Sequence, residues 1–231
     1  MIRILINKVL SFFMYVVSSV YTYRLSLVVC GVRDALYTMW ISNFIGEVGE
    51  KCHFQYPLRL QGGGSQRIRI GERTSIQAYS ILGAWERYGK DEHYEPEIII
   101  GNDCNIGEFC HITAINRITI GDGLLTGRFV YIGDNAHGGL SWEEADTPPA
   151  RRHLKSKGEI MIGKNVWIGD KVAILGGITI GDNVIIGANS VVTHDIPSNS
   201  IWGGIFERDQ EAQRAASVRT AQCSWLPNIQ L

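Results

Sequence analysis

The sequence predicts an all-β fold, a parallel β-helix of hexapeptide repeats, with a helical segment at the N-terminus. Two observations predict it: an aliphatic residue recurs every six positions, and glycine is enriched. Glycine accounts for 26 of 231 residues, a share well above the usual value of about 7%. Neither an α-helix nor a hairpin sheet has a period of six, whereas a coil with three flat faces does.

The repeat is regular enough to define a core. Fourteen of fifteen repeat starts are aliphatic, and the next residue is glycine in eleven of the fifteen. Stacked coils would therefore bury one continuous aliphatic column, and a glycine beside it fits where lateral room is small. The repeat starts are Ile70, Ile76, Leu82, Ile100, Ile106, Ile112, Ile120, Thr126, Ile132, Ile162, Ile168, Ile174, Ile180, Ile186 and Val192.

The fifth residue of each repeat is expected to point inward near a corner and to be small or branched. Cys104 and Cys110 occupy this place in successive repeats, and Cys52 does so if the phase runs back through Val48. They are therefore interpreted as buried, reduced thiols without a disulfide or a metal. The other such residues are Thr74, Ser80, Val130, Ala136, Val166, Val172, Val184 and Ser190.

Two intervals interrupt the six-residue repeat. Leu82 and Ile100 are eighteen residues apart, and Ile132 and Ile162 are thirty apart where six would suffice. The second interval predicts a protruding loop near 138–159. Loops on a rigid scaffold are common places for functional sites.

The repeat divides the chain into residues 1–44, an apolar helical segment, residues 45–204, the β-helix, and residues 205–231, a polar tail. The longest uncharged run of the first segment, 9–23, has fifteen residues, fewer than the roughly twenty that span a bilayer. We expect a helix packed on the coil or between subunits and no transmembrane anchor. A membrane-surface helix, an interrupted span and a signal peptide remain alternatives.

Composition excludes several classes of protein. The formal net charge is −1 and charged residues make up 19% of the chain, which excludes wholesale disorder and argues against a nucleic-acid partner. Five cysteines in 231 residues are too few for a disulfide-stapled secreted scaffold.

Four motifs carry a resemblance to a known family: 110–116 (CHITAIN), 132–138 (IGDNAHG), 165–170 (NVWIGD) and 186–195 (IGANSVVTHD). Over residues 45–204 the chain resembles the hexapeptide-repeat acyltransferases, and among them the O-antigen, capsule and colanic-acid O-acetyltransferases and the maltose and galactoside acetyltransferases. The resemblance implies a left-handed coil, a homotrimer, acetyl-CoA as donor and a hydroxyl, less often an amine, as acceptor. It implies no metal.

His137 is the candidate catalytic residue. It ends the last regular repeat before the long loop, and the family's catalytic histidine aligns with it. A neutral imidazole can take the proton of an attacking hydroxyl, because its pKa lies near the operating pH.

Five residues are candidates for acceptor binding: Trp85, His111, Asn116, Asp134 and Asn135. Trp85, with Tyr88, offers an aromatic face for a sugar ring or a cap for the coil. His111 lies one coil from His137 and has a structural alternative. The other three have turn chemistry as their alternative role.

Donor binding is implied by the resemblance alone. Trp167 matches a tryptophan that borders the channel between subunits, and main-chain groups at Asp170 and Ala188 match those that hold the pantetheine arm. Thr193 and His194 match a Thr-Lys pair near the CoA phosphates, with histidine in place of lysine. Residues 203–208 also lack the family's closing Gly-x-Pro-Ala-Lys/Arg turn.

The resulting hypothesis is an acetyl-CoA-dependent O-acetyltransferase acting on a carbohydrate acceptor in bacterial surface polysaccharide biosynthesis. It would be cytoplasmic, with peripheral contact at the inner membrane through the N-terminal segment as an option. N-acetylation of an amino-sugar nucleotide or an antibiotic is the alternative enzyme, and a non-catalytic scaffold is the alternative class. A carbonic anhydrase on the same coil would need three metal-binding histidines at a spacing that this chain lacks.

Overall fold

Three parallel sheets form the walls of a coil, and the chain visits them in turn. The computed structural model describes residues 2–89, 92–138, 144 and 146–204, so the predicted tail, residues 205–231, lies outside the described residues. The first sheet contains β1 (Glu47–Val48), β4 (Ile68–Ile70), β9 (Glu97–Ile100), β12 (Arg117–Ile120), β17 (Ile160–Ile162) and β20 (Ile178–Ile180).

The other two walls have the same parallel arrangement. The second sheet contains β2 (His53–Phe54), β5 (Ser75–Ile76), β10 (Asn105–Ile106), β13 (Leu125–Thr126), β18 (Trp167–Ile168), β21 (Ile185–Ile186) and β23 (Ile201–Trp202). The third contains β3 (Arg59–Gln61), β6 (Ile81–Ala84), β11 (His111–Ala114), β14 (Tyr131–Gly133), β19 (Ala173–Leu175) and β22 (Val191–Val192).

The register of the strands confirms the six-residue repeat. Ile112 lies opposite Leu82 on one side and Ile132 on the other, and Ile174 continues the same column to Val192. All fifteen repeat starts are buried, none more than 5% exposed. Each coil thus places buried aliphatic side chains on the equivalent residues of the next coil, two per strand on the first wall from β4 to β20, which makes the core continuous.

Close contacts between successive coils at one corner explain why glycine is enriched there. A Cβ built on Gly101 would lie 2.7 Å from the carbonyl carbon of Gly121 in the next coil. Another corner carries non-glycine residues with positive φ, among them Tyr79, Phe109 and Phe129. Their rings stack at 4.9 Å spacing with interplanar angles of 4° and 7°, close to the spacing of adjacent strands.

Two helices precede the coil: α1 (Ile2–Val20) and α2 (Tyr23–Ser42). Side chains of α2 bond to the first coil at three backbone amides. Tyr56 N–H donates to the Asp34 carboxylate at 3.2 Å, Leu58 N–H donates to Tyr37 Oη at 3.1 Å, and Phe54 N–H donates to Thr38 Oγ1 at 2.8 Å. The helix therefore covers the open N-terminal end of the coil.

The helices are longer than the uncharged run suggested. Arg3–Val20 and Tyr23–Ser42 are both long and apolar enough to cross a bilayer, and only 0% and 11% of these stretches are buried. Length therefore no longer argues against a membrane anchor, and the expectation that there is none stays an untested prediction. The segment is two helices where one helical stretch was expected, and α2 packs on the coil.

Both interruptions of the repeat are antiparallel hairpins. The first pairs β7 (Arg87–Tyr88) with β8 (Glu92–His93), and the second pairs β15 (Asn135–His137) with β16 (Leu154–Ser156). Because β15 leaves the coil, Ala136 is exposed, and its assignment to an inward position was wrong. Cys52 is only partly buried against the core. The other fifth-position residues face inward: Thr74, Ser80, Cys104, Cys110, Val130, Val166, Val172, Val184 and Ser190 are all buried.

Replacing Gly101 with alanine should destabilise the coil, because the new methyl group meets backbone atoms of the next coil that cannot move independently. We expect a loss of about 1–3 kcal/mol in the free energy of unfolding, measured by denaturant titration. Gly203→Ala is the matched control, since nothing lies within 4 Å of its added Cβ. Equal stability of the two variants would contradict this account of the corners.

Candidate active site

A cavity of about 170 Å³ lies on the outer face of the third sheet, between the two hairpins. Aromatic rings and imidazoles make up most of its wall. Its lining residues are Trp85, Tyr88, His111, Thr113, Tyr131, Asn135, His137 and Leu154. Five residues proposed from sequence therefore meet in one cavity: Trp85, Tyr88, His111, Asn135 and His137.

His137 stands at the edge of this cavity. It is the last residue of β15, paired with Leu154 of β16, and its side chain is exposed. The ring of Tyr88, from the first hairpin, packs edge-on against the imidazole with centroids 5.3 Å apart. The imidazole is thus held between two hairpins and is open to a substrate.

His111 lies on the neighbouring strand β11, beside Tyr131 of β14. Their rings meet edge-on at 5.7 Å. The Nε2 atom of His111 is buried and has no hydrogen-bond partner among the described residues. Burial lowers the pKa of this imidazole, because the charged form would lose its hydration. His111 is therefore neutral at neutral pH, and its ring forms part of the cavity wall.

Thr113 fixes the orientation of two cavity side chains. The indole Nε1–H of Trp85 donates to Thr113 Oγ1 at 3.2 Å, and the amide of Asn135 donates to the Thr113 carbonyl at 3.1 Å. Trp85 also packs edge-on against Tyr88 at 6.1 Å. Trp85 therefore lines the cavity wall in a fixed orientation.

Glu92 joins the two hairpins. Its carboxylate accepts hydrogen bonds from the Tyr94 hydroxyl and, at 3.2 Å, from the Leu154 amide, and it lies 2.7 Å from Nδ1 of His153. Burial acts to raise the pKa of Glu92, but these hydrogen bonds and the adjacent imidazole outweigh it, so the pKa is lowered. Glu92 therefore stays ionised and fixes the strand that pairs with His137.

Sequence reasoning did not identify Thr113, Tyr131, Leu154 or the Glu92 linkage. Leu154 lies in the long interval, where the six-residue phase gives no register. Tyr131 offered a usable signal, because it precedes a repeat start just as His111 does.

Two of the proposed acceptor residues have structural roles. Asp134 is 1% exposed, and its two carboxylate oxygens accept from the amides of Ile115 and Asn116, each at 2.9 Å. It therefore holds the short corner after β11. Asn116 belongs to that corner and does not line the cavity. Of the two roles that the sequence left open for Asp134 and Asn116, the structure shows the turn.

The residues assigned to the donor lie farther along the coil. Trp167 is 51% exposed on the second sheet. The Asp170 carboxylate accepts from the Arg128 amide at 2.8 Å, and Ala188 is exposed one coil beyond. Asp170 and Ala188 lie in the corner between the second wall and the third, in the two coils beyond β14.

Thr193 and His194 follow β22 at the end of the third sheet. Thr193 Oγ1 and His194 Nδ1 are 2.8 Å apart. The other ring nitrogen of His194, Nε2, is buried and without a hydrogen-bond partner in the described part of the chain. As placed, this imidazole does not present a solvent-facing cation of the kind that a lysine would.

Among the residues that the structure describes, no group of three histidine, cysteine or acidic side chains could hold a metal ion. Cys30, Cys52, Cys104 and Cys110 are free thiols. Burial raises the pKa of Cys104 and Cys110, so both are protonated packing residues.

Comparison with known proteins places this geometry in a class. The family model for the bacterial transferase hexapeptide (six repeats) matches residues 159–194. The chain is 35% identical over 155 residues to WbbJ of Escherichia coli (strain K12), named as a lipopolysaccharide biosynthesis O-acetyl transferase, covering 65% of this chain and 74% of WbbJ. It is 41% identical over 130 residues to the galactoside O-acetyltransferase of the same organism, covering 51% of this chain and 59% of that protein.

A more distant likeness concerns the fold alone. A variant of AntD, an N-acyltransferase from Bacillus cereus, superposes with a TM-score of 0.56 at 17% identity, covering 78% of this chain and 94% of AntD.

The repeat, the cavity and these likenesses define a transferase built on hexapeptide repeats. The chain belongs to the hexapeptide-repeat acyltransferases and is an acyltransferase.

Glu92→Gln should slow acyl transfer while leaving the fold intact. The neutral amide weakens the link to Leu154 and His153, and a displacement of about 1 Å in a reacting group can cost up to about 100-fold in rate. We expect a fall in kcat, with the KM for the acyl donor and the melting temperature unchanged. Glu95→Gln, at an exposed position near the same hairpin, is the control. Equal kcat values for both variants and the wild type would contradict the linkage.

His111 should make stability depend on pH. Its folded-state pKa is lowered, so below about pH 6.5 the unfolded chain binds a proton that the folded chain resists, and stability falls as pH falls. His111→Phe should flatten that part of the pH profile in thermal melts. An unchanged slope in His111→Phe would refute this assignment.

Proposed function

We propose that this acyltransferase moves the acetyl group of acetyl-CoA to a hydroxyl of a carbohydrate, in the synthesis of a bacterial surface polysaccharide. The observation that carries the proposal is the position of His137. Its exposed imidazole borders a cavity walled by Trp85, Tyr88 and Tyr131. Flat aromatic walls with a few convergent polar groups are suited to a sugar ring.

The chemistry needs a base and an oriented acceptor. His137 takes the proton from the attacking hydroxyl as its oxygen bonds to the thioester carbonyl carbon. The thiolate of CoA then leaves and is protonated by the imidazolium. The side chains of His111 and Asn135 orient the acceptor by contact, because both line the same cavity.

The named relatives support oxygen as the acceptor atom. WbbJ and the galactoside enzyme are both named as O-acetyl transferases, and WbbJ is named for lipopolysaccharide biosynthesis. N-acylation is the activity in the name of AntD, and at 17% identity that likeness extends only to the fold.

A second subunit would complete the site. Trp167 is on the second wall and the cavity is on the third, an arrangement that suits a donor lying between chains. We therefore propose a homotrimer with a left-handed coil, as the family resemblance implies, with the donor in the groove between subunits. A cytoplasmic location fits the free thiols of the described residues and the supply of acetyl-CoA.

His137→Ala should abolish most of the activity without unfolding the coil, because the side chain is exposed and supports no core. Loss of a general base costs about 10²–10⁴-fold in rate. The change should appear in kcat, with the KM for acetyl-CoA nearly unchanged, since the base acts mainly in the transition state. Thiol release from acetyl-CoA across a panel of sugar acceptors measures both constants.

His53→Ala is the matched control, because His53 lies in β2, in the first coil and on another wall. It should retain wild-type kcat. If the kcat of His137→Ala is within about threefold of the wild-type value on the best acceptor, His137 is not the base and another residue must act in its place.

A further inference from the structure

We propose that the acceptor saccharide is carried on a membrane lipid and that α1 and the outer face of α2 dock the enzyme on the bilayer that holds it. The inference rests on the proposed function. It depends on the two helices, which the reaction itself does not use.

The first observation is the division of α2 into two faces. The face toward the coil contains Ser26, Cys30, Asp34, Tyr37 and Ile41, spaced by three or four residues and at least partly buried. The opposite face is uncharged and exposed along the whole helix. It consists of Leu25, Val28, Val29, Val32, Leu36, Met39 and Trp40, with exposed fractions between 43% and 72%.

The second observation is the amphipathic pattern of α1. Apolar residues recur at intervals of three and four residues on one side, and small polar and basic residues lie on the other. The apolar side contains Ile6, Val9, Phe13, Val16 and Val20, all exposed. The other side contains Arg3, Asn7, Ser11 and Ser18, with Lys8 at its edge, and also the apolar residues Ile4 and Met14. This is the pattern of a helix that lies in the plane of a membrane interface.

Charge favours a lipid surface over a second copy of the chain. No acidic residue precedes Asp34, whereas Arg3, Lys8, Arg24 and Arg33 are all basic. Anionic headgroups attract such a segment, at about 1 kcal/mol per basic residue near the surface. Two copies packed through the same helices would instead bring like charges together.

Docking in this way sets the height of the active site. The outer face of α2 is one helix diameter, about 10 Å, from the first coil. On the third wall the strands follow the order β3, β6, β11, β14. Counted from β3 in the first coil, His111 of β11 is two strands away and β14 is three strands away. At about 4.8 Å per strand, the cavity lies roughly 20–25 Å above the bilayer surface.

That height selects the kind of acceptor. A sugar a few residues long, attached to a lipid headgroup, spans such a distance, and anchoring enzyme and acceptor on one surface raises their effective concentration. A freely diffusing acceptor gains nothing from this arrangement. The geometry therefore points to a lipid-linked saccharide.

The test compares one saccharide in two forms, free and coupled to dioleoylglycerol in vesicles of equal parts phosphatidylglycerol and phosphatidylethanolamine. The full-length protein is assayed by flotation with the vesicles and by thiol release from acetyl-CoA. The variant Phe13→Glu/Leu36→Glu places one carboxylate on each apolar face. Ile201→Glu is the matched control, an exposed aliphatic residue on the last strand, away from both helices.

We expect wild type and Ile201→Glu to float with the vesicles and the double variant to stay in solution. On the lipid-linked saccharide the double variant should lose about tenfold or more in turnover, while on the free saccharide all three proteins should agree within about twofold. An unchanged melting temperature shows that the variant is folded.

Three results would overturn the inference. The first is wild type that does not float, and the second is equal turnover of the double variant and wild type on the lipid-linked saccharide. The third is a smaller oligomer for the double variant in light scattering, which would identify the apolar faces as a subunit interface. If no saccharide, free or lipid-linked, supports thiol release from acetyl-CoA, the proposed function is refuted, and the proposed acceptor with it. The flotation assay would still test membrane docking independently.

Discussion

The vertical register of the inward side chains is the constraint on which the rest of this structure depends. Every wall contributes aliphatic residues to each coil, and each of them rests on its equivalents above and below, as Ile112 rests between Leu82 and Ile132. On the first wall the strands β4 to β20 contribute two such residues each, for example Ile118 and Ile120 of β12. An extra residue inside a wall would break every later contact, so additional chain can leave the coil only at a corner.

The position of the active site depends on where the two hairpins leave the coil. The hairpins emerge after β6 and after β14, which flank β11 on the third wall. Between them, the corner after β11 is only the two residues Ile115 and Asn116, held by the Asp134 carboxylate. Because this corner is short, the two hairpins can approach each other across it, and Glu92 links them there. The cavity is the space between the two hairpins, next to His111.

Sequence was informative where the structure is periodic and uninformative where it is not. The repeat predicted the buried columns, the glycine corners and the inward cysteines, because each depends only on position within six residues. It also placed His111 one strand from His137. It did not predict that Leu154 would pair with His137, since an antiparallel hairpin outside the coil has its own register. For Asp134 the sequence left acceptor binding and turn chemistry open, because the backbone amides that its carboxylate accepts from are not visible in a sequence.

The cap formed by α2 has a consequence for assembly. A stack of parallel strands ends in a row of unpaired backbone groups, which is a template for another chain. Here the side chains of Asp34, Tyr37 and Thr38 accept hydrogen bonds from amides of the first coil, so they imitate the carbonyls of a coil that is not there. The helix is thus a terminator of growth. Every coil of this fold can pair with another coil. Without the helix, chains could therefore stack end to end into a fibre.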